Sequence, residues 1–194
     1  MNRTLRIAAL LAAALPAAAL ASTWNVDPAH TRASFAVKHL AISTVRGDFG
    51  KTTGVLQLDD ADVTKSSVEA TIDATTIDTR VAQRDNHLKS PDFFDVAKHP
   101  TITFKSTKVE KAGEGKLKVS GDLTIRGNTR PVVLDVEGPS PEIVAFGEAH
   151  RAFVATTRIN RKDFGLNWSG MVEATAVVAD SVAIELSVEV IKAK

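Results

Sequence analysis

The five histidines are the side chains best suited to acid–base or metal chemistry in this sequence. They are His30, His39, His87, His99 and His150, and no two of them lie two or four residues apart, the spacings that place two metal ligands on one face of a strand or helix. The sequence also contains no glycine-rich phosphate loop, no G-x-S-x-G turn and no H-E-x-x-H helix. Hydrogen-bonded or solvent-facing histidines are therefore favoured over a histidine-bound metal or haem.

The densest run of polar groups is Arg84–Lys89, with the sequence R-D-N-H-L-K. One interpretation is a solvated helix in which a local arginine–aspartate pair adds a few tenths of a kcal/mol. The other is a gate, in which Phe93 and Phe94 face the protein interior and a charged side chain of the run meets the polar head group of a ligand. Local sequence leaves both open, and the solvated helix is the simpler of the two.

Composition limits the classes of protein to consider. Of 194 residues, 44% are hydrophobic and 24% are charged, which suits a single domain with a buried core. The 24 basic and 23 acidic residues give a formal net charge of +1. This balance argues against a nucleic-acid or anionic-membrane binder, since both need a basic surface. The absence of cysteine excludes disulfides, thiolate metal sites, a cysteine nucleophile and a lipid-modified cysteine.

The first 21 residues are predicted to be a signal peptide. Met1–Arg6 is basic, Ile7–Leu15 is an uninterrupted apolar run, and Ala19–Ala21 places small residues where signal peptidase cleaves. The apolar stretch is shorter than the roughly 20 residues that a membrane-spanning helix needs. We therefore expect one exported domain over residues 22–194, located in the periplasm, with no stable membrane insertion. Loss of Arg3 and Arg6 leaves 22 basic against 23 acidic residues, a net charge of −1.

Alternation of apolar and polar residues predicts a mature chain made almost entirely of β-strands. In the clearest case, Val68, Ala70 and Ile72 alternate with polar neighbours. The same pattern recurs at 32–38, 101–105, 116–125 and 181–191, and further strands are predicted at 45–58, 132–137, 152–159 and 172–178. Turn signals such as Gly127-Asn128 and Gly138-Pro139 separate these runs. The result is a set of roughly eight strands in sequential order.

Long strands joined in sequence favour an all-β fold, an eight-stranded antiparallel up-and-down barrel, because closure removes exposed sheet edges. A two-sheet sandwich is the alternative. Strands of about ten residues span about 33 Å, so the barrel should be extended. Residues 80–95 break the alternation, and here we predict a short helix over Val81–Lys89 and a turn over Ser90–Asp95, together lying across one end of the barrel.

The aromatic residues are eight Phe and two Trp, with no Tyr. Phe35, Phe49, Phe104 and Phe153 fall on predicted strands at positions that point to one side. An eight-stranded barrel can be filled by its own side chains, but it can also hold one apolar ligand. The pattern alone leaves open both a filled core and a hydrophobic tunnel. Small residues on the same faces would leave free space beside the rings; they are Ala33, Ala70, Ala155, Ala174 and Ala176.

Seven short segments form recognisable motifs in order along the chain. They are Trp24–Thr31, Phe35–Leu40, Arg46–Phe49, Arg84–Asp95, His99–Phe104, Gly121–Thr129 and Arg161–Leu166. Together these segments resemble the YceI family of periplasmic polyisoprenoid-binding proteins, and Arg84–Asp95 is similar to the most characteristic block of that family. The resemblance extends from Trp24 to the last strand, which makes it specific.

The resemblance implies a lipocalin-like barrel whose interior holds a polyisoprenoid or similar long amphiphilic chain, such as an isoprenoid quinone or a polyprenyl compound. The protein would then be a non-enzymatic periplasmic carrier with no metal and no cofactor other than the bound lipid. The strand pattern and the motifs together give the candidate ligand-binding residues, which are Phe35, Val37, His39, Phe49, Arg84, Asp85, His87, Phe93, Phe94, Phe104, Phe153, Phe164 and Trp168.

Two other functions stay open. One is an enzyme that acts on an amphiphile in the same tunnel, with His87 or His30 as acid or base and Asp85 or Asp27 orienting it. The other is a structural or stress-response barrel with a filled core. A continuous apolar tunnel would favour the carrier, whereas packed side chains would favour the filled barrel. The sequence does not determine the oligomeric state, and a homodimer is considered only because it is the commonest assembly among soluble proteins.

Overall fold

The computed structural model describes residues 21–172 and 175–194. The strands are β1 (Ser22–Val26), β2 (Arg32–His39), β3 (Ser43–Phe49), β4 (Thr52–Leu58), β5 (Ser67–Asp73), β6 (Ile77–Asp78), β7 (Thr101–Gly113), β8 (Lys116–Ile125), β9 (Asn128–Glu137), β10 (Ile143–Ala145), β11 (Glu148–Asn160), β12 (Met171–Val172), β13 (Thr175–Ala176) and β14 (Val178–Lys192). The helices are α1 (Ala82–Lys89) and short 3₁₀ helices at Val63–Lys65, Ala74–Thr76 and Arg161–Phe164. Residues 1–20 of the predicted signal peptide lie outside the described residues.

Eight antiparallel strand positions close into a barrel. β1 and β2 occupy the first position one after the other, β3 and β4 the second, and β5 and β6 the third. β7, β8, β9, β11 and β14 follow in chain order. The ring closes because β14 pairs with β11 along one edge and with β1 and β2 along the other. This topology confirms the predicted all-β up-and-down barrel, and the sandwich alternative is wrong.

The strand predicted at 45–58 is divided into β3 and β4. Its break lies beside the break between β1 and β2, where Pro28 has no backbone N–H to donate and Asp27 Oδ1 accepts a hydrogen bond from the Ala29 backbone N at 2.9 Å. Because β1 pairs with β4 and β2 pairs with β3, the interruption of the first position is repeated in the second.

The strand predicted at 172–178 is wrong for its described residues before Val178, which do not form a barrel strand. β12 and β13 pair only with each other, with Met171 opposite Ala176, and Val178 already belongs to β14. The backbone of β2 next to this hairpin is already hydrogen-bonded to β14. The hairpin of β12 and β13 therefore pairs with no strand of the barrel. Ala176 lies exposed on this hairpin instead of facing the barrel interior, and Ala174 lies outside the described residues.

α1 spans Ala82–Lys89, which confirms the predicted short helix. Asp95 closes the turn that follows it, since its backbone N donates to the Ser90 carbonyl at 2.9 Å. None of the residues of α1 is fully buried, although Leu88 reaches the barrel interior. Among the described residues, no helix combines the length and the hydropathy that crossing a membrane requires.

The buried apolar side chains form three clusters around a central space. One cluster, near α1, contains Phe49, Phe93 and Phe164; we call this end of the barrel the helix end. A second cluster includes Leu117 and its neighbours on β7, β8, β9 and β11. The third surrounds the fully buried Trp24, and we call that end the tryptophan end. The packing therefore lines the interior of the barrel without filling it.

Candidate functional site

A cavity of about 260 Å³ runs through the barrel interior, and all eight strand positions contribute to its wall. On β14 the lining residues extend from Val178 to Val190, which is about 40 Å along the strand at 3.3 Å per residue. A strand tilt of about 40° reduces this to about 30 Å along the barrel axis. The cavity is therefore a slender tunnel that joins the helix end to the tryptophan end.

Among the described residues, the surface that the tunnel wall exposes to a ligand is apolar. Hydroxyl groups on lining residues are directed elsewhere: Ser34 Oγ donates to Asp48 Oδ1 at 2.6 Å, and Thr31 Oγ1 donates to the Glu189 backbone carbonyl at 3.3 Å. Thr52 Oγ1 is buried without a partner. Such a wall favours hydrocarbon, at about 0.8 kcal/mol per buried CH₂ group, and these three hydroxyl groups are either paired elsewhere or buried below the surface that a ligand would touch.

Two glycines on the barrel strands lie directly beneath phenylalanine rings that line the tunnel. Phe35 is paired with Gly47 across β2 and β3, and a Cβ atom added to Gly47 would lie 2.5 Å from Cζ of Phe35. A Cβ atom added to Gly121 would likewise collide with the ring of Phe104. Because these glycines have no side chain, the rings occupy the wall and leave the centre of the tunnel open.

The last turn of α1 and the segment between α1 and β7 cover the helix end of the tunnel. Leu88, Phe93 and Phe94 all line it. The ring of Phe94 packs edge-on against Phe49, with ring centroids 5.8 Å apart, and Phe93 packs against Trp168 at 5.4 Å. Access from this end therefore depends on the position of two aromatic side chains that are held by other aromatic rings.

The charged side chains of α1 hold the helix in place and do not line the tunnel. Arg84 Nε donates to Thr79 Oγ1 at 2.7 Å, and Asp85 Oδ1 accepts from the backbone N of Thr79 at 2.8 Å. His87 Nε2 lies 2.8 Å from Asp92 Oδ2. Under the enzyme alternative Asp85 was a candidate to orient His87, but in the structure Asp85 Oδ1 accepts hydrogen bonds from the backbone N and the hydroxyl of Thr79, and Asp92 is the partner of His87.

The structure separates the candidate residues into two groups. Those that line the tunnel are Phe35, Val37, Phe49, Phe93, Phe94, Phe104 and Phe153, together with the small residues Ala33, Ala70 and Ala155. Those that lie off its wall are His39, Arg84, Asp85, His87, Phe164 and Trp168. Phe164 is instead part of the core, at 1% exposure, and the Trp168 ring packs at a tilt against Phe93.

Arg161 closes the helix end with a buried charge, at 3% exposure. All five of its N–H groups are used: they donate to the backbone carbonyls of Leu166, Trp168, Val178 and Ala179 and to Asp180 Oδ1. No donor remains for a ligand, so this side chain ties the loop after β11 to the start of β14. Its partners are mainly backbone carbonyls, which no local sequence pattern identifies.

Trp24 closes the opposite end and was not among the candidates. Its side chain is fully buried against Leu58 and Val190, both of which line the tunnel. The Arg151 guanidinium lies 5.2 Å and the Lys192 Nζ 5.5 Å from its ring centroid, both within cation–π distance of the ring.

Two further histidines pair with carboxylates on the outside of the barrel. His30 Nδ1 lies 2.6 Å from Asp27 Oδ2, and His150 Nδ1 lies 2.9 Å from Glu189 Oε1. The hydrogen bond lowers the pKa of Asp27 and raises the pKa of His30. Neither His30 nor His87 lines the tunnel, so the acid or base expected there under the enzyme alternative is not at either position.

A family model of YceI-like domains matches residues 24–190 of this chain. The chain belongs to the YceI-like family. A UPF0312 protein of Vibrio cholerae is 39% identical over 173 residues, which are 88% of this chain and 92% of the relative. The family assignment confirms the resemblance that the motifs indicated.

Solved structures agree with the fold of this YceI-like protein. BcnA of Burkholderia cenocepacia superposes with a TM-score of 0.73 at 27% identity, covering 84% of this chain and 98% of that one. The YCEI protein of Campylobacter jejuni gives 0.70 at 31% identity, covering 81% and 90%. A polyisoprenoid binding domain from Saccharophagus degradans gives 0.63 at 15% identity, covering 90% and 99%, a likeness that extends to the fold alone.

Proposed function

We propose that this YceI-like protein is a non-enzymatic carrier that holds the tail of a polyisoprenoid lipid in its tunnel. The observation that carries the proposal is the wall, which is apolar over about 30 Å of the barrel axis. Burial of a hydrocarbon tail supplies binding free energy without any catalytic group. The polyisoprenoid-binding description of the Saccharophagus degradans domain is consistent with such cargo.

The wall also suggests how the lipid is oriented. A carbonyl, hydroxyl or phosphate inside the tunnel would lose its hydrogen bonds to water and gain none from the protein, which costs several kcal/mol. The tail therefore lies inside and the head group remains at one end, in contact with water. This orientation suits a polyprenyl compound, and it suits an isoprenoid quinone only if the ring stays outside the tunnel.

The cellular setting is part of the same proposal. The predicted signal peptide over residues 1–21 would deliver the protein to the periplasm, where a free isoprenoid tail is insoluble. A closed barrel around the tail lets such a lipid cross an aqueous compartment. A homodimer and the absence of stable membrane insertion stay predictions.

The proposal is tested with protein purified from the periplasm of an exporting cell, by native mass spectrometry and by organic extraction of bound lipid. We expect an isoprenoid to co-purify, and protein stripped of lipid to take up a long-chain prenol. Parent protein that neither carries nor takes up an isoprenoid would overturn the proposal.

A matched pair of glycine variants tests whether the tunnel is the site. Gly47→Ala should push the Phe35 ring into the lumen and crowd Thr79, whose Cγ2 would lie 2.8 Å from the added Cβ. We expect prenol retention to fall about tenfold, equivalent to about 1.4 kcal/mol. Gly50→Ala is the control, because the nearest atom to its added Cβ, Thr76 Cβ, is 3.8 Å away. Equal retention by two folded variants, checked by circular dichroism, would place the ligand elsewhere.

A further inference from the structure

A second set of chemically active side chains lies on the outer surface of the barrel, away from the tunnel. Asp27 and His30 are in the break between β1 and β2, and Glu189 is on β14 beside it, where its backbone carbonyl accepts from the Asp27 backbone N at 2.9 Å. One ligand-capable atom from each of the three side chains lies within 4.8 Å of the other two. It is the one such cluster among residues 21–172 and 175–194.

The backbone of this cluster is fixed. The Thr31 hydroxyl donates to the Glu189 carbonyl at 3.3 Å and accepts from the Glu189 backbone N at 3.1 Å. Asp27 Oδ1 accepts from the Ala29 backbone N at 2.9 Å, which leaves Oδ2 directed at His30. The two carboxylates are therefore attached to rigid parts of the barrel wall, as a preorganised site requires.

His150 orients the glutamate. Its Nδ1 is 2.9 Å from Glu189 Oε1, while its Nε2 is buried and has no hydrogen-bond partner. A neutral ring therefore carries its hydrogen on Nδ1 and donates it to Glu189, because an N–H at Nε2 would be buried without an acceptor. Outer hydrogen bonds of this kind typically hold the carboxylate ligands of a metal ion.

We propose that Asp27, His30 and Glu189 form a binding site for a divalent transition-metal ion, with zinc the best fit. One imidazole and two carboxylates are ligands that Zn²⁺ accepts in tetrahedral geometry, with a fourth position open to water. The His30 side chain is 66% exposed and can turn to bring its ligand atom to the distance that a metal needs. Calcium prefers six to eight oxygen ligands, which three side chains do not supply.

A metal ion at this position would stabilise the folded barrel. It would join the turn between β1 and β2 to β14, the strand that closes the barrel. Because the turn and β14 are far apart in sequence, the complete site exists only in the folded chain. An ion that binds the folded state alone raises the melting temperature as its concentration rises.

The test uses the mature protein without an affinity tag, freed of metal by a chelator and titrated with Zn²⁺ by calorimetry. We expect one zinc ion per chain, a melting temperature that rises with zinc, and no competition from excess Ca²⁺. Asp27→Asn and His30→Gln should each weaken zinc binding at least tenfold.

Asp92→Asn is the matched control. Asp92 also bonds a histidine, His87, at 2.8 Å, but it belongs to no cluster of three metal-binding groups in the described part of the chain, so its loss should leave zinc affinity unchanged. Absence of saturable zinc binding would overturn the proposal. So would parent-like binding by folded Asp27→Asn and His30→Gln proteins, or a zinc anomalous-scattering peak located away from these residues.

Discussion

Thr52 presents the simplest residue-scale question, because its buried hydroxyl has no hydrogen-bond partner. The residue is 5% exposed on the tunnel wall, and Oγ1 is unpaired. We predict that Thr52→Val raises the free energy of unfolding by about 1–2 kcal/mol, because valine has nearly the same shape and removes the unpaired group. Urea denaturation measures the change.

Thr53→Val is the control for that substitution. Thr53 is the next residue on β4 and faces solvent, so its replacement should change the free energy of unfolding by less than about 0.5 kcal/mol. A Thr52→Val protein that is less stable than the parent would show that the hydroxyl makes a hydrogen bond after all.

Arg161 gives a second prediction at the scale of one side chain. Its guanidinium is buried and fully hydrogen-bonded, so Arg161→Met should leave several backbone carbonyls without partners, while Asp180 keeps its contact with Lys162 at 2.8 Å. We expect a loss of about 3–5 kcal/mol in the free energy of unfolding, because each buried carbonyl left without a donor costs about 1–3 kcal/mol. Thermal and urea unfolding should both report it. A loss below 1 kcal/mol, on the order of a surface pair, would contradict this role.

At the scale of elements, the segment that links β11 to β14 depends on an aspartate. A hydrogen bond from Lys162, aided by the charges of Lys162 and Arg161, lowers the pKa of Asp180 below its usual 3.8. The folded protein therefore binds this proton less tightly than the unfolded chain does. The stabilisation is present above pH 3.8 and is lost as the pH falls through the lower, folded-state pKa.

Two aspartates that cap 3₁₀ helices have lowered pKa values for a similar reason. Hydrogen bonds from Thr64 and Thr75 lower the pKa values of Asp62 and Asp73, which cap Val63–Lys65 and Ala74–Thr76.

We predict that the melting temperature of the parent protein falls steeply below pH 3.8. The fall should be shallower in Asp180→Asn, which is already destabilised at neutral pH. Calorimetry from pH 7 to pH 2 measures both; parallel curves for parent and variant would contradict the assignment to Asp180.

At the scale of the whole molecule, the length of the tunnel should set the preferred ligand. Each additional buried CH₂ group adds about 0.8 kcal/mol, so affinity should rise along a series of prenols until the chain fills the tunnel and then level off. Competition against a fluorescent fatty chain measures this series. A constant affinity across chain lengths would indicate that only the head group is recognised.

Much of this architecture follows from the sequence alone. Alternation of apolar and polar residues is a local property, because successive side chains of a strand point to opposite faces. It located Phe35, Phe104 and Phe153 on the inward face and marked 81–89 as a helix. The same local rule failed at 45–58, since the break between β3 and β4 repeats an interruption in the neighbouring strand pair.

Only the tertiary structure decided which distant groups meet. Thr31 and Glu189 are 158 residues apart, and their contact depends on the register with which the last strand closes the barrel. That register brings Asp27, His30 and Glu189 together and gives Arg161 its carbonyl partners. Likewise, Asp85 accepts a hydrogen bond from the backbone N of Thr79, and His87 pairs with Asp92 instead. The period of a strand specifies which face a side chain is on, but the side chain opposite it depends on how the strands align.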